Sequence, residues 1–398
     1  MPSKIFWSIF LIAAFLCFLI SCEEPASTYE NTGGCSGTPD SNNYEGTTDN
    51  SSDESSNNSS DESSNNSSDE SSNNGSDESP NNSAEETTGD ANAEVYLEGS
   101  TWIASNTGSQ VYSGTDMLDA IQAAVDSLTP GRTWKETVVL KDSGSTGTYT
   151  WDGDVKSVDL ADYTVIDLQG TITVNDDSGE DDIVPIRAMG KKYIEIRNAR
   201  IEGNPRYGIW IQSCNEVHLG NIWMSLWEAE TVGLGVRIDE SRGSRSSNVT
   251  IDYAYVEGSK HHGVETYGVD NITINMVETV DTGGCGLILN DTANASVGTV
   301  NATRPNVGGG YAGFRTANNA GPDIHVDKVI VNGGARGFFC VSGSHGIAIE
   351  QVDITESENQ GILIEDCQDV SVNGGTVLNT FNQGVRITSR SSTEHAAS

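Results

Sequence analysis

GVRIDESRGSRSSNVTIDYAYVEGSKHHGVET, residues 235–266, decides the fold. It opens on a glycine followed by Val236, Arg237 and Ile238, so that two apolar residues flank a polar one. It closes on the same device, Gly263 followed by Val264, Glu265 and Thr266. Between the two runs NVTIDYAYV from Asn248, which alternates apolar and polar residues. Alternation of period two places successive side chains on opposite faces of a strand. The stretch therefore holds one strand, a second strand, and the beginning of a third that repeats the first.

The device recurs. GIWI begins at Gly208, GLIL at Gly286, GFRT at Gly313, GFFC at Gly337, GILI at Gly361 and a second GVRI at Gly384. With Gly235 and Gly263 in place, successive separations are 27, 28, 23, 27, 24, 24 and 23 residues. Alternating companions lie between them, among them EVHLGNI from Glu216, NITINMV from Asn271, DIHVDKVIV from Asp323, GIAIEQVDI from Gly346 and DVSVNGGTV from Asp369. Short strands at an interval in the twenties mark a solenoid whose coils each contribute several strands. No helical periodicity separates them, which argues against leucine-rich and βαβ arrangements. The expectation is an all-β domain over residues 95–398, a parallel β-helix with Asn and Gly turning its corners. TVIDLQGTITV from Thr164 reads as one of the first coils. Upstream, Thr115 is placed to cap a helix running to about Leu128, with Met117, Leu118, Ile121, Ala124, Val125 and Leu128 as its apolar stripe. Such a helix would cover the open edge of the first coil.

The start of the chain is of another kind. Met1 to Lys4 is short and positively charged, and Ile5 to Ile20 is almost wholly apolar, the order of a secretory signal and short for a membrane span. It ends in Leu19-Ile20-Ser21-Cys22, which resembles the lipobox of bacterial lipoproteins. That resemblance implies a signal peptide over residues 1–21, lipidation of Cys22, and a cell-surface protein held to the outer membrane by its lipid anchor. Residues 22–94 read as a tether. SSDESSNN appears three times in tandem from Ser51, Ser59 and Ser67 and continues as GSDESPNN, with 18 acidic residues and no Lys or Arg between residues 23 and 94. Such sequence cannot bury enough apolar area to offset its ordering entropy. The domain itself has 40 acidic and 20 basic residues, so a nucleic-acid partner is not expected. Cys214, Cys285, Cys340 and Cys367 lack zinc-like spacing and read as small buried thiols.

The repeated glycine strands and the preceding helix resemble the right-handed parallel β-helices of the pectate-lyase-like superfamily. The resemblance covers the whole domain and is architectural. It implies a right-handed solenoid with an N-terminal capping helix and a polysaccharide as substrate class. The catalytic motifs of the polygalacturonase-like hydrolases reduce here to Ser344-His345-Gly346, and the Asp-Pro-His-Asp of alginate epimerases is absent.

The residues supply the rest. After each aligned glycine the first and third residues point inward, and the second points outward. The second positions are Trp210, Arg237, Glu265, Ile288, Arg315, Phe339, Leu363 and Arg386. Coils about 4.8 Å apart would spread these eight over roughly 34 Å of one face. Corner residues add Lys260, His261 and His262, then Tyr311 and Arg336. Each has a plain structural reading too: Trp210 as a packed aromatic, Glu265 and its arginine neighbours as a ladder ion pair, the histidines as corner residues. Two adjacent histidines and Glu265 do not guarantee the convergence that zinc requires, and no metal ligand is assigned.

Taken together, the column suits β-elimination of a uronate polymer. Arginine, or a bound calcium ion, neutralises the carboxylate, while a base removes the adjacent proton and an acid protonates the leaving oxygen. Lys260, His262, Glu265, Tyr267 and Arg315 are the catalytic candidates, with Lys260 or His262 as base. Trp210, Arg237, His261, Tyr311, Arg336 and Phe339 are the substrate-binding candidates. The expected protein is a monomeric extracellular polysaccharide lyase. The alternatives are a β-helix glycoside hydrolase, whose carboxylates would come from Glu265, Asp239, Glu240 and Asp291, and a non-catalytic carbohydrate binder.

Overall fold

A computed structural model describes residues 92–150, 153–176, 182–227 and 233–389. The expected signal peptide, Cys22 and nearly all of the tether lie outside the described residues. The domain is the expected parallel β-helix. Its first strand begins at Ala93, two residues before the boundary drawn from sequence. β1 (Ala93–Glu98), β2 (Thr101–Asn106) and β3 (Ser109–Gly114) form an antiparallel meander, and β1 also lies parallel to Glu136–Leu140, where the coils begin.

The helix α1 (Met117–Asp126) follows the meander. Its N-cap is Asp116 rather than Thr115: the Asp116 carboxylate accepts the Asp119 backbone N–H at 2.9 Å, an orphan donor of the first turn. The helix also stops two residues short of Leu128. The expected stripe, Met117, Leu118, Ile121, Ala124, Val125 and Leu128, is buried throughout, in one continuous core with Trp102 of β2 and the first coils.

Each coil has three sides. The first sheet carries the strands that follow the aligned glycines, for example Tyr207–Gln212, Leu234–Asp239 and Phe314–Ala317, paired in parallel from coil to coil. In the middle coils the alternating companion is one extended strand bent over two further sheets, and in the first coils and the last it is two separate strands. In Ser246–Glu257, Val249 and Ile251 point inward, the phase slips at Asp252, and Ala254 and Val256 point inward again. The same slip occurs at Asn275 and Gly298, and it is how an extended chain turns a corner while keeping its apolar side inside.

Close packing explains the glycines. A Cβ on Gly235 would meet the Gly263 carbonyl oxygen at 2.3 Å and Val256 Cγ2 at 2.8 Å, because the third-sheet side chains fill the space behind the start of the first sheet. The corner before the second sheet stacks Glu216, Asn248, Asn271, Asn294 and Asp323, all with φ between 54° and 60°, the left-handed region in which Asn and Asp are enriched. Asn248 Nδ2 donates to Glu216 Oε1 at 2.9 Å, and Asn271 Nδ2 to Asn248 Oδ1 at 3.3 Å.

The cysteine expectation is half corrected. Cys214 and Cys285 are buried thiols, whereas Cys340 and Cys367 form a disulfide. Cys340 points inward from its first-sheet strand, and Cys367 follows the corner of the next coil. Stacking brings their Cα atoms to 6.3 Å, within bonding reach. Sequence spacing alone does not show that proximity.

Candidate functional site

The strand registers reproduce the sequence-derived column without a slip. Trp210 pairs with Arg237, Arg237 with Glu265, Glu265 with Ile288, Ile288 with Arg315, Arg315 with Phe339, Phe339 with Leu363 and Leu363 with Arg386. It extends upstream to Arg187 and Asp159. The column is not an open face along its whole length. Ile288, Phe339 and Leu363 are buried, the latter two in a small external cluster with Ala312, Ala317 and Val341. Outward strand positions have become covered where neighbouring side chains pack over them.

The candidates fall into two groups. The first is a closed ion network. Arg237 Nε donates to Asp239 Oδ2 at 2.7 Å and Nη1 to Glu265 Oε2 at 2.7 Å. Trp210 Nε1 donates to the same Asp239 oxygen at 2.8 Å, while the Ser241 N–H and hydroxyl satisfy its other oxygen. Asn290 Nδ2 donates to Glu265 Oε1 at 3.2 Å and is followed by Asn318. Trp210 also stacks edge-on against Tyr207. Burial raises the proton affinity of Glu265, opposed mainly by the Arg237 charge. Burial works against the Arg237 charge, but Glu265, Tyr207 and Asp239 outweigh it and hold the guanidinium firmly protonated. Arg187 repeats the pattern upstream, buried between Asp154 and Asp159. These residues hold one another, so Trp210 and Arg237 are committed to neighbours.

The second group is a stack of rings and cations. The His262 ring meets the Tyr311 ring edge-on with centroids 5.1 Å apart. The Arg315 guanidinium lies 5.0 Å from the Tyr311 ring and 5.0 Å from Phe339, and Arg336 lies 5.0 Å from Phe339 on its own account. Arg336 Nε donates to Gln360 Oε1 at 2.9 Å, and its Nη1 donates to the Gly310 carbonyl. Among the described residues Arg315 pairs with no carboxylate, and its Nε is shut away from solvent without a hydrogen-bond partner. It is a cation on aromatic faces with the Cys285 thiol beside it and no carboxylate partner among the described residues.

His262 is held as a neutral ring. The Cys285 N–H donates to its Nδ1 at 2.8 Å, which leaves the proton on Nε2. Burial, then the positive charges of Arg315, His261 and Arg237, lower its pKa to about 3. In this arrangement His262 donates through Nε2 and has no free lone pair with which to act as a base. Cys285 is an inert thiol, pushed up to about 11 by burial. Lys260 and His261 are exposed on the preceding turn, and no carboxylate lies within ion-pair range of Lys260 among the described residues. Tyr267 stands two residues beyond Glu265, in register with Asp239 and Asn290, partly exposed. Its hydroxyl has no hydrogen-bond partner among the described residues.

Asp239 and Asn290 matter more than the sequence reading allowed. Both occupy the next outward position, two residues beyond the column; Asp239 entered the sequence reading only as a hydrolase carboxylate, and continuing the alternation by one step would have found Asn290. Among the described residues no three His, Cys, Asp or Glu side chains converge as metal ligands.

No protein-family model and no curated protein sequence matches this chain. Among solved structures, the A-module of the mannuronan C-5 epimerase AlgE6 of Azotobacter vinelandii is similar at 16% identity and a TM-score of 0.45, over 68% of this chain and 76% of that one. The AlgE4 A-module of the same organism is similar at 16% identity and 0.38, over 67% and 74%. The Streptococcus pneumoniae surface protein and adhesin PfbA is similar at 12% identity and 0.33, over 69% and 96%. Likenesses at this level carry no weight for the chemistry, which rests on the side chains.

Proposed function

We propose that the first-sheet face binds an acidic, uronate-containing polysaccharide and cleaves it by β-elimination. The observation that carries this reading is Arg315. In a domain with 40 acidic and 20 basic residues, a half-buried guanidinium pairing with no carboxylate among the described residues, its Nε unsatisfied, is costly unless an anion completes it. A carboxylate matches the guanidinium fork. Arg187 and Arg237, by contrast, are already neutralised by carboxylates.

Arg315 would take the uronate carboxylate and withdraw charge from it. The carbon beside that carboxylate then loses its proton to a base. The electron pair forms a carbon–carbon double bond as the glycosidic carbon–oxygen bond breaks, and the leaving oxygen takes a proton. Lys260, whose amine has no acidic partner among the described residues, is the base in this scheme, and the Tyr267 hydroxyl is the acid. His262 contributes its Nε2–H as a donor to the bound anion, and Tyr311 and Phe339 hold the Arg315 plane. The hydrolase alternative draws on Glu265, Asp239, Glu240 and Asp291, but all four carboxylate oxygens of Glu265 and Asp239 are engaged by Arg237, Asn290, Trp210 or Ser241, and Glu240 and Asp291 both lie against Arg245. A surface location outside the cytoplasm is part of the proposal. The Cys340–Cys367 disulfide suits an oxidising compartment, and the signal-like start fits it.

The test is incubation with pectate, alginate, xylan and β-glucan. An ultraviolet-absorbing unsaturated end from a uronate polymer supports the lyase. New reducing ends without that absorbance indicate hydrolysis, and retention without cleavage indicates a binder. Either of these overturns the proposed reaction.

A further inference from the structure

The two ends of the solenoid differ. The N-terminal end is closed: α1 lies over the first coils, with Met117, Leu118 and Ile121 fully buried against them. The last coil, made of Gln368–Val372, Gly375–Leu378 and Val385–Thr388, pairs with the preceding coil on one side only. Val385 and Ile387 occupy inward register positions, opposite Ile362 and Ile364, yet they are 55% and 62% exposed. Leu378 and Phe381 are exposed beside them at 53% and 86%. Among the described residues nothing covers this end, which presents apolar side chains inside a frame of three unpaired strand edges.

We infer that this end is a self-association surface at which two copies of the chain meet end to end. The frame itself selects the occupant. A complement must offer three short strand edges in the same three-sided outline, around an apolar centre of the same size. Among the described residues such a surface is presented only at this end, because the other end is blocked by α1 and β1–β3. A two-fold axis across the solenoid axis makes the coils of the two copies run in opposite senses. Each exposed edge then faces an antiparallel edge of its partner, in a closed, isologous contact.

Charge favours the same end. Between residues 368 and 389 the only charged side chains are Asp369 and Arg386, so the last coil is neutral in a domain that is otherwise strongly acidic. Two copies repel along their flanks and not here. Residues 390–398, RSSTEHAAS, offer two alanines as their only apolar side chains, a poor match to the exposed valine, isoleucine, leucine and phenylalanine. This inference replaces the monomer expected from the sequence and does not depend on the lyase reading.

The test is sedimentation equilibrium of the full chain over a hundredfold range of concentration, beside Ile387→Lys, Phe381→Ser and a chain ending at Ser389. Both substituted side chains already face solvent, so folding is kept and is checked by thermal melting. The expected result is a wild-type mass that doubles with concentration and a dissociation constant weakened tenfold or more in both variants, with no change on truncation. A wild type that stays monomeric, or dimers that both variants leave at the wild-type constant, overturns the inference. A chain that dimerises only after residues 390–398 are removed also overturns it, by showing that the tail covers the end.

Discussion

The Cys285 backbone N–H donates to His262 Nδ1 across the step from one coil to the next, at 2.8 Å. The bond ties the turn that carries Lys260 to the turn below it, and it fixes which ring nitrogen holds the proton. A pKa lowered to about 3 in the folded chain means that the unfolded chain binds a proton that the native state refuses between the ordinary histidine value near 6.5 and about 3. Stability should therefore fall as pH drops through that window, with a slope from this residue of at most about 1.4 kcal/mol per pH unit. His262→Asn keeps an acceptor for the Cys285 N–H and removes the titration. Melting temperature measured from pH 7 to 4 should fall less steeply in His262→Asn than in the wild type. Equal slopes would mean that His262 is protonated in the native state.

Arg237 and Arg315 belong to one column and should behave oppositely. Arg237→Gln leaves Asp239 and Glu265 buried without their cation, a change that typically costs about 3–5 kcal/mol. Burial favours the protonated form of Glu265. Once Arg237 is gone, the loss should deepen as pH rises through the Glu265 pKa and shrink as pH falls below it. Arg315→Gln removes a cation with no carboxylate partner among the described residues, so it should leave melting unchanged or raise it while weakening retention of a uronate polymer, most visibly at low salt. Denaturant titrations at pH 5 and pH 8 and a polymer-binding assay separate the two. A stable Arg237→Gln together with an unstable Arg315→Gln would reverse the assignment of network and binding cation.

The register and inward faces of this fold were legible because a solenoid repeats its packing problem. Gly235 and its equivalents recur since each strand start lies against the third sheet of its own coil, and the Asn corners recur since each demands a left-handed residue. Period-two alternation then fixed which way Arg237, Glu265 and Arg315 point. What alternation cannot reveal is which outward side chains end up covered. Phe339 and Leu363 point outward and are buried, because residues from other coils and turns close over them. The Cys340–Cys367 bond joins residues 27 apart in the chain, and no local pattern announces it; the Arg237–Glu265 pair, 28 apart, is visible only through the repeat register. The cap moved from Thr115 to Asp116 because two adjacent residues can both serve, and only the backbone decides which carries the non-helical conformation.

The disulfide lies one coil from the exposed end and should hold that end together. Closing a loop of 27 residues is worth about 3–4 kcal/mol by the loop-entropy estimate. Cys340→Ala with Cys367→Ala should lower the melting temperature, and a reductant should lower that of the wild type but not of the double variant. Hydrogen exchange should show the added opening confined to residues after about Phe338, since the earlier coils are bonded on both sides. Equal deprotection of Ile209 and Ile362 would instead mean that the solenoid unfolds as one unit and that the bond has no local role.

The catalytic assignment rests on Lys260 and Tyr267, and their substitutions should separate from those of their neighbours. Neither side chain has an acid or hydrogen-bond partner to lose among the described residues, so Lys260→Ala and Tyr267→Phe should melt like the wild type. Removing a general base or acid typically lowers turnover by about 10²- to 10⁴-fold. On the polymer identified by the panel, each variant should lose kcat in that range with KM little changed, whereas Arg315→Gln should raise KM. His262→Asn tests the reassigned histidine: a residue that only donates to the bound anion should lower kcat/KM by a smaller factor and leave the basic limb of the pH profile in place. If His262→Asn removes turnover while Lys260→Ala retains it, the histidine is the base after all, and the Cys285 hydrogen bond must break when substrate binds.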